Sequence, residues 1–168
     1  MFDFLTSTKR PSGGTKVLAA DEVVARLKKL NRKGSPWRIV DGSSEGVDLI
    51  AEWKIVDARW YEIFAKASLT KVFRIFMKVD DANKHIRAQD REYEVSWRAG
   101  VPVLSVAARG FKGQKWSVEY EKSYGLTEDL DVGVQYEYLF KTSEIKKPIQ
   151  EAVVASGWVY KGVVFGKP

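Results

Sequence analysis

Between Leu69 and Trp97 the chain reads LTKVFRIFMKVDDANKHIRAQDREYEVSW, and its first half alternates apolar with polar side chains. Phe73, Ile75, Met77 and Val79 share one parity while Arg74, Lys78 and Asp80 take the other, which is the pattern of a half-buried strand. Asp80 to Lys84 (DDANK) follows with Asp and Asn, residues that stabilise turns by bonding their own backbone, so the stretch predicts one long β-hairpin. In the returning arm Ile86 and Ala88 are the apolar positions at first, and Tyr93, Val95 and Trp97 succeed them on the opposite parity. A β-bulge within 89–92 is the expected repair.

Other segments carry equally clear periods. Val23, Leu27 and Leu30 recur at i, i+4 and i+7, with Asp21 and Glu22 ahead of them and Lys28, Lys29, Arg32 and Lys33 behind, predicting an amphipathic helix from about Ala20 to Lys33 closed by Gly34. Trp37 to Asp41 predicts a strand, and Val47, Leu49, Ala51, Trp53 and Ile55 alternate with Asp48, Glu52 and Lys54 as a second. Asp57 to Ser68 fits either a short helix burying Trp60, Phe64 and Ala67 or a strand lined by Tyr61, Ile63 and Ala65. Val101–Ala108, Lys115–Glu121 and Val132–Lys141 predict three further strands. Pro148 suits the first turn of a helix that ends at Gly157, with Ile149, Ala152 and Val153 on its apolar side, and Trp158–Phe165 reads as a buried closing strand. The expected architecture is α+β: a strongly bent antiparallel sheet or partial barrel of about 7–8 strands with an amphipathic N-terminal helix and a C-terminal helix. Residues 1–16, a Ser, Thr, Gly, Pro and Lys mixture, read as a flexible leader, and 17–168 as a single domain.

Composition narrows the chemistry. The 168 residues contain no cysteine, which excludes disulfides, thiolate catalysis and zinc-finger ligation. No apolar run is long enough to span a bilayer and no secretory signal is visible, so a cytoplasmic protein is expected. The net charge of +6 is localised: residues 1–38 hold nine Lys or Arg against three acids, and the rest of the chain balances at nineteen each. An electrostatic partner is therefore expected at the N-terminal quarter.

Catalytic constellations are scarce. The single histidine, His85, lies at the hairpin tip, where neither an orienting partner nor a pocket is expected. Asp80, Asp81 and Asp90 lack metal-ligand spacing, so no metal and no cofactor are expected. Glu92 with Glu94, and Glu119 with Glu121, are paired carboxylates of the kind that flank a glycosidic bond, but as alternate residues of amphipathic strands they read better as a solvated face. Gly110–Gly113 (GFKG) has the spacing of a KH-domain clamp without its flanking helices. Aromatic–cation neighbours such as Trp53-Lys54 and Trp97-Arg98 fit strands with rings inside and charges outside better than a stacking platform for single strands.

VDLIAEWKIVDARWYEIFAKAS (47–68) and TSEIKKPIQEAVVASGWVYKGVVFGKP (142–168) resemble segments of a group of uncharacterised small bacterial proteins of about this length. The resemblance implies a bacterial, single-domain protein and transfers no catalytic residue. Ala152–Phe165 is apolar enough that the plan also resembles, in architecture only, tubby-like and scramblase-like proteins, which wrap an antiparallel barrel around an apolar C-terminal helix and bind phosphoinositides or sit at membranes. Lys146, Lys147, Gln150, Glu151, Gly157 and Gly162 depart from a helix buried on all sides.

The leading expectation is a non-enzymatic binding domain whose curved sheet holds a small apolar or amphipathic ligand, or a partner protein, among Trp53, Phe73, Met77, Tyr93 and Trp97. The alternative is peripheral binding to anionic phosphate surfaces, either lipid head groups or nucleic acid, through Arg26, Lys29, Arg32 and Lys33 on the basic helix. A carboxylate-dependent hydrolase ranks third.

Overall fold

The computed structural model describes residues 6–32, 35, 37–53, 71–98, 101–106, 112–113, 124–127, 135–138, 142–164 and 166–168. For 71–73, 92–98, 101–106, 112–113, 124–127, 135–138 and 142–143 the description is of backbone alone. The elements in chain order begin with helix α1 (Ala20–Lys28), strands β1 (Trp37–Asp41) and β2 (Leu49–Trp53), and the hairpin β3 (Lys71–Asp80) and β4 (His85–Arg98). They continue with β5 (Val101–Val106), β6 (Lys112–Gly113), β7 (Tyr124–Thr127), β8 (Gln135–Tyr138), helix α2 (Thr142–Ala155) and β9 (Val159–Gly162).

Strand β4 is the spine of an α+β fold. Its first edge pairs antiparallel with β3, and its second edge is shared along its length: β9 takes His85–Ala88 in parallel, β6 takes Asp90 and Arg91, and β5 takes Tyr93–Arg98. The main path runs β1-β2-β3-β4-β5, and β7 with β8 forms a separate two-stranded sheet. Since β9 is parallel to β4, the sheet is mixed. Among the described residues β1 does not pair with β5, so the sheet is open, and the expected partial barrel is not formed. Asn31 covers the outer edge of β1, donating Nδ2 to Ile39 O (2.9 Å) and accepting the Ile39 N–H (2.6 Å).

The hairpin tip follows its residues. Asp80 and His85 are the last pair, and the Asp80 carboxylate accepts the Asn83 backbone N–H (3.2 Å) and Nδ2–H (2.9 Å). The bulge expected within 89–92 is absent from the β3 side: the register is unbroken from Lys71 opposite Glu94 to Asp80 opposite His85. After Ile86 and Ala88, the next residue on the same face is Asp90, and it is buried against Lys146.

One sheet face carries the main core. Trp37, Ile39, Leu49, Ala51, Trp53, Ile75, Met77, Ile86 and Ala88 meet Val23 and Leu27 of α1 and Ile145, Ile149 and Val153 of α2, with Trp158 and Tyr160 beside them. Both helices therefore cover the same face. The opposite face has a small cluster of Val47, Ile50 and Phe76, and the Arg91 guanidinium lies 4.2 Å from the Phe76 ring centroid.

Two helix boundaries differ from expectation. The first helix stops at Lys28, and Leu30 and Asn31 bond back to Leu27 O and Lys28 O, because Asn31 turns away to clip β1. The second begins at Thr142 and contains Pro148. Starting there puts Ile145 and Lys146 on the buried side with Ile149 and Val153, which offsets the hydrogen bond that proline cannot donate. Asp57–Ser68 and Lys115–Glu121 lie outside the described residues.

Helix α2 ends in a Schellman motif, with Trp158 N–H bonding Val153 O (3.2 Å), Gly157 N–H bonding Val154 O (3.0 Å) and Gly157 at φ 76°. A Cβ on Gly157 would lie 2.5 Å from Lys16 O and 2.8 Å from Val17 Cα, both backbone atoms. Gly157→Ala should therefore lower unfolding free energy by about 1–2 kcal/mol from the left-handed backbone alone, and further from the close approach. Urea denaturation checks this; unchanged stability would contradict the packing of 16–17 against this turn.

Candidate functional site

Two polar constructions stand out, one on each face of the first half of β4. On the core face, Asp90 meets Lys146 of α2, Nζ to Oδ2 at 2.5 Å, with side chains 0% and 3% exposed. Lys146 Nζ also donates to Ser7 Oγ (3.2 Å), Gln150 Nε2 donates to Ser7 O (2.8 Å), and Thr8 Oγ1 accepts Gly162 N–H (3.1 Å). Residues 6–9 thus lie along β9, with Lys9 and Tyr160 exchanging both backbone hydrogen bonds at 2.9 Å. Burial pulls the Lys146 ammonium below its ordinary pKa, while the neighbouring Asp90 charge opposes that shift. Tyr160 is buried beside Asp90, and both effects push its phenol well above the usual range, so it stays neutral. Its hydroxyl has no hydrogen-bond partner among the described residues.

The opposite face carries a row of cations. In register, Lys78 of β3 stands opposite Arg87 of β4, and Arg87 stands opposite Lys161 of β9. Like charges directly across a sheet repel. None of these three makes an ion pair among the described residues, and Lys78 is exposed while Arg87 and Lys161 are half-buried. A second cationic pairing, Arg74 opposite Arg91, is treated differently: Arg74 lies 3.6 Å from both Glu45 and Glu52, and Arg91 rests on Phe76 and donates to Gln89 Oε1 (3.3 Å). The contrast isolates the row at the hairpin tip.

His85 borders that row. Its pKa is lowered, first by burial and then by Lys161 of β9, Arg10 of the N-terminal segment and Arg87 of β4, against the opposing pull of Asp80 on β3. Two carboxylates flank the row and both are engaged: Asp80 with Asn83, and Asp48 with the Val79 N–H (2.7 Å).

None of the residues singled out from the sequence belongs to this row. Trp53 and Met77 are buried in the main core under the protein's own helices. Phe73, Tyr93 and Trp97 stand in the hairpin at backbone positions opposite Glu92, Val72 and Pro102, and their side chains lie outside the described part. Arg26, Lys29 and Arg32 are exposed on and just after α1, on the helical side of the sheet, and Lys33 lies outside the described residues. Glu92 and Glu94 face Phe73 and Lys71 across the hairpin, and Glu119 and Glu121 lie outside the described residues. Within the described residues no group of three or more His, Cys, Asp or Glu could hold a metal, and no helix is long and apolar enough to cross a membrane. Lys78 and Arg87 belong to the expected hairpin, and the row was not legible because Lys161 joins them only through the parallel pairing of β9 with β4.

No protein-family model, curated protein or solved structure matches the chain. The fold and its polar constructions therefore stand on their own residues.

The buried pair makes a direct prediction. Lys146→Met leaves Asp90 buried without its ammonium and should cost about 3–5 kcal/mol, whereas the double change Lys146→Met with Asp90→Leu should recover most of the loss. Urea denaturation of the two single variants and the double variant checks this; additive losses would mean that the pair is not coupled.

Proposed function

We propose that this chain is a non-enzymatic binding domain for compact phosphate-bearing anions, held by Lys78, Arg87 and Lys161 on the open face of the sheet. The observation that carries the reading is the row itself. Strand pairing sets the backbone of three cationic residues side by side at a spacing of about 5 Å, which brings like charges near one another, and an anion seated across them relieves the repulsion.

The size of the row favours a group with several linked phosphates over an extended polymer, since two strand spacings span about 10 Å. Base stacking draws no support from the residues whose side chains are described, since the exposed large apolar side chain among them is Val17 and none of their rings is exposed. The apolar-ligand reading loses two of its anchors to the core, Trp53 and Met77. The basic helix end keeps its exposed Arg26, Lys29 and Arg32, but those cations are not set opposite one another in a sheet register.

Isothermal titration with tripolyphosphate, alongside sedimentation with phosphatidylcholine vesicles containing a phosphoinositide, distinguishes a soluble anion from a lipid head group. Lys78→Glu with Lys161→Glu should weaken binding by roughly tenfold or more, while Arg26→Glu with Lys29→Glu should leave it nearly unchanged. The reverse ranking would move the site to α1, and equal binding by both variants would end the proposal. A single-stranded oligonucleotide bound more tightly than tripolyphosphate would replace the compact ligand with a polymer.

The site also has a proton linkage. Because His85 has a lowered pKa in the folded chain, the unfolded chain protonates first as pH falls, and the stability that His85 contributes rises with pH across that window. A bound anion favours the imidazolium, so binding takes up a proton and affinity for tripolyphosphate should increase as pH falls through the histidine range. His85→Gln should flatten the profile. A profile equally steep in the variant would assign the proton to another group.

A further inference from the structure

We infer that residues Thr6–Arg10 are a clasp that completes the anion site by carrying Arg10 to its edge, and that the buried Asp90–Lys146 pair on the opposite face holds this clasp in place. The inference rests on the reading of the cationic row as an anion site, and it adds an element that the row does not require.

Register locates the clasp. Lys9 pairs with Tyr160, Tyr160 pairs with Ile86, and Val159 pairs with His85. Arg10, one residue beyond Lys9 and antiparallel to β9, therefore comes level with Val159 and His85, and by alternation it belongs to the face that bears Arg87 and Lys161. Arg10 is exposed, and its charge is one of those that hold down the His85 pKa.

Holding the segment there has a visible cost. Ser7 has φ 62°, a left-handed conformation that a non-glycine residue adopts only when its surroundings impose it. The surroundings are charged and dry: Ser7 is fully buried, its hydroxyl accepts from Lys146 and its carbonyl from Gln150. Thr8 adds the bond from Gly162 N–H. Beyond Arg10 the chain passes Pro11 and turns at Ser12–Thr15, where Thr15 N–H and Oγ1 both bond Ser12 O. The segment thus behaves as a short peptide added to the edge of β9, gripped by backbone pairing and by one small hydroxyl in a charged pocket.

Closing the clasp and binding the anion are then linked, and each favours the other by the same factor. An anion at the row attracts Arg10, and a closed clasp presents Arg10 to the anion.

The test uses full-length chain and tripolyphosphate. Arg10→Ala should weaken binding about fivefold, the effect of one cation near an anionic surface. Lys9→Pro removes the N–H that bonds Tyr160 O without touching the row or the core, and should weaken binding by the same factor, whereas Lys9→Ala keeps that N–H and should bind nearly as the parent does. In the Lys9→Pro background, Arg10→Ala should have no further effect, since an open clasp no longer presents Arg10. Amide exchange at Tyr160 and Gly162 should slow on adding tripolyphosphate to the parent and not to Lys9→Pro. Parent-like affinity in Lys9→Pro, or independent losses from the two changes, would overturn the clasp. If those variants bind like the parent while Lys78→Glu with Lys161→Glu does not, the clasp fails and the anion site stands; if none of the variants weakens binding, both fall.

Discussion

A carboxylate on the core face of the central strand is the constraint around which this fold is arranged. Asp90 sits where a hydrophobic residue would extend the stripe of Ile86 and Ala88, and it has no exposed surface. An ionised group in that position is costly unless a counter-charge and further hydrogen bonds accompany it. Lys146 supplies the charge, and its approach fixes the position and rotation of α2 on the sheet. Lys146 in turn needs acceptors, and Ser7 provides one, which draws the N-terminal segment in against β9. A hydrophobic pair at the same two positions would satisfy burial without specifying any of these partners. The ion pair makes one arrangement of helix, strand and N-terminal segment much better than its neighbours, at the cost of desolvating two charges.

Much of this arrangement was legible in the chain and one decisive part was not. The β3–β4 hairpin follows from alternation and from the Asp80–Asn83 turn, and β2 follows from Leu49, Ala51 and Trp53, because a strand with one buried face must alternate. The apolar positions change parity after Ala88, where Asp90 takes the next place on the core face, and the local repair for a broken alternation is a bulge. The structure instead keeps the register and brings a cation from a residue 56 positions away, which no local pattern can announce. The start of α2 was hidden for a related reason. Pro148 is a good first-turn residue, and only the burial of Ile145 and Lys146 by the sheet justifies placing it inside the helix.

The candidate site shows the same division more sharply. Net charge pointed to the N-terminal quarter, and one of its cations, Arg10, does lie level with the site. The main cluster on α1 lies on the helical side instead. Lys78, Arg87 and Lys161 are unremarkable singly, since each is the solvent-facing partner of an inward residue: Met77 or Val79, Ile86 or Ala88, and Tyr160. They become a row only through two registers, one set by the hairpin and one by the parallel return of β9 after α2. Strand order is invisible in a single sequence, so the place of Lys161 beside Arg87 was invisible too.

The two faces of β4 are nonetheless parts of one construction. Tyr160 faces the core beside Asp90, and Lys161, its neighbour, faces the row; Ile86 and Arg87 divide in the same way. Any shift of β9 along β4 that moved Lys161 away from Arg87 would also drag Tyr160 out of the core and unseat the Lys9 bridge. Repulsion among the three cations favours such a shift, and the cohesion of the core opposes it. Burial of Tyr160 and Trp158 removes large areas of ring from water, worth about 1.5–3 kcal/mol for a large apolar side chain, whereas repulsion between solvated cations is smaller, about 1 kcal/mol at 4 Å in water. The core therefore wins, and the three cationic residues are kept in register by packing they do not contribute to. A surface of this kind keeps its repulsion as stored free energy, and the proposed binding of a multivalent anion rests on the release of that repulsion.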